Sequence, residues 1–130
     1  MKLAVFALMA LMLAGCASED IRTLQGKGAK RTFRYEYEEV YAAAQRAVAR
    51  RKLEVLEDNR EAGRLIVKSG TSLTSLGENI GIFVTRLNPR STSVEVIAKP
   101  LVSTITFPPD WPLLVFGDVE QELTAVRPAR

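Results

Sequence analysis

The chain has 130 residues, 18 of them Lys or Arg and 15 Asp or Glu, for a formal charge of +3, with no histidine and a single cysteine. Those counts exclude a Ser-His-Asp triad, a Cys-His dyad, an imidazole metal site, an intrachain disulfide and a multi-thiolate zinc site. The length suits one domain, and the charge excess is too small to indicate nucleic acid.

Lys2 precedes an uncharged run from Leu3 to Ala14 (LAVFALMALMLA), which closes on Gly15-Cys16 ahead of the polar Ser18, Glu19 and Asp20. A basic residue, an apolar stretch and then small residues is the order of a secretory signal peptide, here residues 1–15. As a helix, Leu3 to Ser18 would be about 24 Å long, short of the ~30 Å hydrocarbon core, so a cleaved leader fits better than a membrane span.

Leu13-Ala14-Gly15-Cys16 resemble the lipobox of bacterial lipoproteins. The resemblance implies cleavage before Cys16, a diacylglyceryl group on its thiol and acylation of the new amino terminus; no other cofactor is expected. Three acyl chains, at ~0.8 kcal/mol per buried CH₂, make an effectively permanent anchor. Ala17 stands where an Asp would, by resemblance to enterobacterial lipoproteins, retain the protein at the inner membrane. The periplasmic leaflet of the outer membrane is therefore the expected location, with the inner membrane or a Gram-positive envelope as alternatives. Removal of residues 1–15 takes away one charge, Lys2, and lowers the formal +3 to +2.

Residues 16–31 are expected to be the lipidated cysteine and a flexible tether, because Ala17 to Arg31 contains few large apolar residues, two glycines and no clear period. Its r.m.s. reach would be roughly 20 Å. Lys27, Lys30, Arg31 and Arg34 either keep this spacer soluble or rest on anionic headgroups. Gly26-Lys27-Gly28 lacks the preceding strand and the GK[ST] ending of a phosphate loop.

A small domain is expected over residues 32–126, followed by a 127–130 tail. Thr32 to Tyr35 reads as a short strand and Tyr37 to Arg51 as a helix, with Val40, Tyr41, Ala44, Ala47 and Val48 on one face. Glu36, Glu38 and Glu39 at its start and Arg50, Arg51 and Lys52 at its end complement the helix macrodipole. Leu53 to Glu57 and Arg64 to Ser69 flank a polar, glycine-ended turn and read as a hairpin. Glu78 to Leu87 alternates with Ile80, Ile82 and Val84 on one side, and Thr92 to Lys99 with Val94, Val96 and Ala98. Pro100 ends that ladder, although Leu101 to Thr106 could continue as an edge strand. Asp110 reads as the N-cap of a last helix reaching about Ala125, with Leu113, Val115, Phe116, Val119 and Leu123 on one face. The sum is α+β: an antiparallel sheet of four to five strands with two helices packed on one face, in the order β-α-β-β-β-β-α.

With the lipobox ahead of this order, the chain resembles small proteobacterial lipoproteins of unknown function. More distantly, it resembles the helix-grip domains in the C lipoprotein of the β-barrel assembly machinery, which has two such domains where this chain has one. The resemblance rests on Tyr41 to Val48, on Gly63-Arg64-Leu65-Ile66-Val67 and on Asp110-Trp111.

Glu36, Glu38 and Glu39 form the densest carboxylate group, but at a helix start they serve the dipole better than a glycosidase cleft. Glu57, Asp58 and Glu61 lack calcium-loop spacing, and no metal site is expected. Leu73 and Leu76 in the polar loop Thr71 to Gly77 either fold back on the sheet or await a partner. Trp111 and Leu114, if both exposed, would make an interface anchor; otherwise Trp111 tucks in beside Phe107 and Pro108. Cys16, Leu73, Leu76, Trp111 and Leu114 are therefore the candidate lipidation and partner-binding residues, and none is catalytic. The expected function is that of a non-enzymatic, membrane-anchored binding or structural module of the cell envelope. It would be held to the membrane by its lipid and partnered by an envelope protein, not by nucleic acid. The alternative is a carrier or sensor of a small apolar ligand in a pocket lined by Ile82, Phe83, Val94 and Phe116.

Overall fold

The period-two alternation of the two longest apolar segments produces a hairpin of β4 (Glu78–Asn88) and β5 (Ser91–Pro100), turned at Pro89-Arg90. A computed structural model describes residues 20–73, 75–102 and 107–126. The leader, Cys16 and the 127–130 tail fall outside those residues. Around the long hairpin lie β1 (Ala29–Phe33), β2 (Glu54–Asn59) and β3 (Arg64–Lys68), giving one antiparallel sheet of order β1-β5-β4-β3-β2. Strands β2 to β5 form a meander of short connections, and β1 closes the sheet beside β5, with Ala29 opposite Val96 and Phe33 opposite Thr92. Leu101 and Val102 do not continue β5, and the rest of the expected edge strand lies outside the described residues.

Helices α1 (Tyr37–Arg50) and α2 (Trp111–Val126) cover one face, as the α+β reading requires. All five apolar-face residues of α1 are buried, together with Ala43, against Leu65, Val67, Ile80, Ile82, Val94 and Val96. Each such large side chain contributes about 1.5–3 kcal/mol by leaving water. The small Ala43, Ala44 and Ala47 let α1 lie close to the sheet. The helix stops in a Schellman turn: Leu53 N–H donates to the Val48 carbonyl at 3.2 Å and Lys52 N–H to Ala49 at 3.0 Å. Lys52 takes the left-handed conformation there, φ 56°, that glycine more often supplies.

Asp110 caps α2, its carboxylate accepting the Leu113 N–H at 3.1 Å. The buried arc of this helix differs from the expected one. Leu113 is exposed, whereas Leu114, expected off the core, packs against it. The buried arc runs through Trp111, Glu122, Val115, Val119, Leu123 and Phe116, so it is turned toward Leu114 and away from Leu113. Glu122 is tolerated because Arg46 and Arg50 of α1 reach it at 3.1 and 2.9 Å.

The expected tether over residues 17–31 is corrected from Ile21 onward. Ile21–Leu24 forms a 3₁₀ turn on the sheet face opposite the helices, and Ile21 is buried among Ile66, Phe83 and Ile97. Gly81 makes the room, since a Cβ there would lie 2.7 Å from the Phe83 ring. Glu95, in the middle of β5, then accepts the Gly26 N–H at 2.8 Å and the Gly28 N–H at 2.9 Å, and Arg22 meets Glu57 of β2 at 2.8 Å. The segment thus crosses the sheet before entering β1, which starts at Ala29 and not at Thr32. Arg31, one of the basic residues expected in that spacer, turns to the helix side, over the Phe116 ring and 3.4 Å from Glu120.

Candidate functional site

The β2–β3 turn and the start of α1 form the most elaborate polar surface among the described residues. The Asn59 carboxamide accepts the Ala62 N–H at 3.0 Å, and Gly63 closes the turn at φ +68°. The Tyr37 hydroxyl donates to the Arg60 carbonyl, pinning the turn to α1. Tyr41, one helical turn on, donates to Asp58 at 2.6 Å, and Gln45 donates to the other oxygen of the same carboxylate at 2.7 Å. The two phenol rings stack with centroids 6.0 Å apart. Arg60 lies 5.1 Å over Tyr41 and pairs with Glu38; Arg86 of β4 lies 5.0 Å over Tyr37. Between them is an open cleft of about 520 Å³, lined by Tyr37, Glu38, Arg60, Glu61 and Arg86 and floored by Val84. Arginines held over aromatic rings are pre-organised donors. The cleft thus sets the guanidinium groups of Arg60 and Arg86 beside the carboxyl side chains of Glu38 and Glu61.

Burial, and then the hydrogen bond to Asp58 and its negative charge, raise the Tyr41 phenol above its ordinary 10.0. Folding therefore favours the protonated phenol. Its contribution is complete below the unfolded value and is lost as pH rises past it, at up to about 1.4 kcal/mol per pH unit. Denaturant unfolding followed from about pH 9 to pH 11 should show this fall, and Tyr41→Phe should flatten it. At neutral pH the same substitution should remove about 1–2 kcal/mol, because Asp58 loses a donor but keeps Gln45.

The residues singled out in the sequence do not gather into one site. Cys16 lies outside the described residues. Leu73 is fully exposed and Leu76 half-exposed, so Leu73 does not fold back on the sheet. Trp111 is buried in the main core, 7% exposed, and Leu114 is half-buried there, so they form no exposed anchor; Phe107 is itself exposed. Glu38 serves Arg60, while Glu39 accepts the Glu36 N–H at 3.3 Å. Glu57 is engaged by Arg22 and Arg64, and Asp58 by Tyr41 and Gln45. Ile82, Val94 and Phe116 pack in the main core, but Phe83 points to the opposite face with Ile21, so these four cannot line one pocket.

Three acids whose burial the sequence reading did not anticipate are Glu78, Glu95 and Glu122, all at most 4% exposed. The available signal was an acid placed inside or beside an apolar run, as in Val94-Glu95-Val96. Among the described residues no helix is long and apolar enough to cross a membrane.

No protein-family model and no curated protein matches the chain. Solved structures do. The fold is similar to the adenylate sensor from AMP-activated protein kinase, solved in complex with 5-aminoimidazole-4-carboxamide 1-β-D-ribofuranotide. The TM-score is 0.52, at 14% identity over 73% of this chain and 94% of that one. At that identity the likeness is one of fold alone.

Proposed function

We propose that the protein is a membrane-anchored lipoprotein of the periplasm, acting as a non-catalytic binding or structural module of the cell envelope. The observation that carries this reading is Leu13-Ala14-Gly15-Cys16 at the end of an uncharged apolar run, with the chain's one cysteine at the acceptor position. Ala17 after that cysteine favours the periplasmic leaflet of the outer membrane. The Tyr37, Tyr41, Arg60 and Arg86 cleft supports a recognition role, because tyrosine and arginine on a rigid scaffold are the residue types that dominate binding energy at interfaces.

Intact mass of the membrane-extracted protein tests the anchor. The expected species begins at Cys16 and carries a diacylglyceryl group and one further acyl chain, and Cys16→Ser should leave the leader uncleaved and the acyl mass absent. A water-soluble protein with a free thiol, unchanged by globomycin, overturns the proposal. For the recognition role, Arg86→Ala should release a partner that copurifies from solubilised outer membrane without lowering the melting midpoint.

A further inference from the structure

At the end of the domain away from the Tyr37–Arg86 cleft, two loops are tied side by side. Leu101 N–H donates to the Gly77 carbonyl at 3.0 Å, and Ser69 N–H to the Glu78 carbonyl at 2.9 Å. The pairing leaves Leu76, Leu101 and Val102 exposed by 49%, 39% and 42%. Lys52 and Lys68 share a groove with Leu76 and Leu101, beside a single exposed acid, Glu54. Leu101 also borders a second groove, with Lys99, Pro100, Ile21 and Asp20. The first described residue of the domain, its carboxylate held by Arg22, therefore opens beside this apolar and basic end.

Asp20 is only four positions beyond Cys16, with Ala17, Ser18 and Glu19 between them. Fully extended, those four steps reach about 14 Å, the order of the headgroup layer. Because Ile21 to Gly28 is fastened across the sheet by Ile21 and Glu95, no further slack is available on the domain side.

We infer that this end of the domain, with Leu76, Leu101, Val102, Lys52, Lys68 and Lys99, is a bilayer-facing surface that docks on the leaflet holding the anchor. The inference rests on the lipoprotein reading above. Its occupant is a lipid surface, because the short run to Cys16 brings the membrane to this end, and exposed leucines among lysines suit the boundary between acyl chains and anionic headgroups. The Tyr37–Arg86 cleft, at the opposite ends of α1 and β3, is then held away from the membrane, open to a partner.

The test uses the full acylated protein in phosphatidylethanolamine and phosphatidylglycerol vesicles containing lipids brominated on the acyl chain. Leu101→Trp places a reporter on the proposed surface, and Leu87→Trp places one at the exposed far end of the β4–β5 hairpin; the buried Trp111 is a constant background. The expected result is a blue shift and several-fold quenching at position 101, with neither at 87. Lys68→Glu and Lys99→Glu should each lower the docked population by about fivefold while the acyl chains keep the protein on the vesicles. Equal quenching at both positions, or greater quenching at 87, in a protein whose mass shows its acyl chains overturns the orientation alone. A protein that lacks the acyl mass and does not float with vesicles overturns the lipoprotein reading, and the docked surface with it.

Discussion

Gly63→Ala is expected to lower stability by about 2–5 kcal/mol, the sum of a left-handed backbone penalty and an overpacking penalty. Gly63 sits at φ +68°, where a side chain is strained, and a Cβ would lie only 2.1 Å from the Val84 carbonyl oxygen and 3.1 Å from the Tyr37 hydroxyl. Neither neighbour can yield cheaply. The Val84 N–H donates to the Gly63 carbonyl at 2.8 Å, so moving β4 away breaks the bond that joins the turn to the sheet. Tyr37 is held by the Arg60 carbonyl of the same turn. The methyl group would therefore open the cleft between Arg60 and Arg86 as well as destabilise the domain. Calorimetry checks the first effect and partner release the second. Gly70→Ala is the control: no atom lies within 4 Å of a Cβ there and its φ is unexceptional, so its effect should stay within about 0.5 kcal/mol.

Glu78→Ala should cost about 2–4 kcal/mol, because buried hydroxyls lose their acceptor and a cavity replaces the side chain. The Glu78 carboxylate is 1% exposed and takes hydrogen bonds from the Ser69 and Ser75 hydroxyls. Its own N–H donates to Ser69 Oγ at 2.8 Å, and the Gly77 N–H donates to Ser75 Oγ at 3.1 Å. One side chain thus closes the loop that presents Leu76. In a domain of this size the loss corresponds to a fall in melting midpoint of roughly 10–25 °C. Amide exchange should rise first in the segment around Ser75 to Gly77. Glu78→Gln, which keeps the shape and one acceptor oxygen, should lose less than half as much; an equal loss from both variants would show that the two serine contacts contribute little.

These two positions illustrate where sequence was informative. Gly63 was legible as the end of a polar turn, since glycine after Asn59-Arg60-Glu61-Ala62 is a local signal, but nothing local announces the Val84 carbonyl that an added Cβ would meet at 2.1 Å. Glu78 looked like the first residue of a strand, which it is; its enclosure by two serines depends on how a loop of nine residues folds back. The stacked Tyr37 and Tyr41 were visible as neighbours one helical turn apart, with Tyr41 assigned to the core face, yet the cleft they help form also needs Arg86 from β4.

The order of elements, the inner faces of α1, β4 and β5, the Asp110 cap and the α+β class were all determined by the sequence by itself. Each depends on periodicity or on a short spacing that the chain carries before it folds. The resemblance of Leu13-Ala14-Gly15-Cys16 to a lipobox is likewise carried by adjacent residues. Tertiary structure alone decided that β1 lies beside β5, that Ile21 to Gly28 is strapped across the outer face, and that Glu122 of α2 is buried while Leu113 is exposed. Those outcomes turn on partners far away in the chain: Glu95 is 69 residues from Gly26, and Glu122 is 76 from Arg46. A carboxylate is stable in the interior only once such donors arrive, and no window of neighbouring residues contains them.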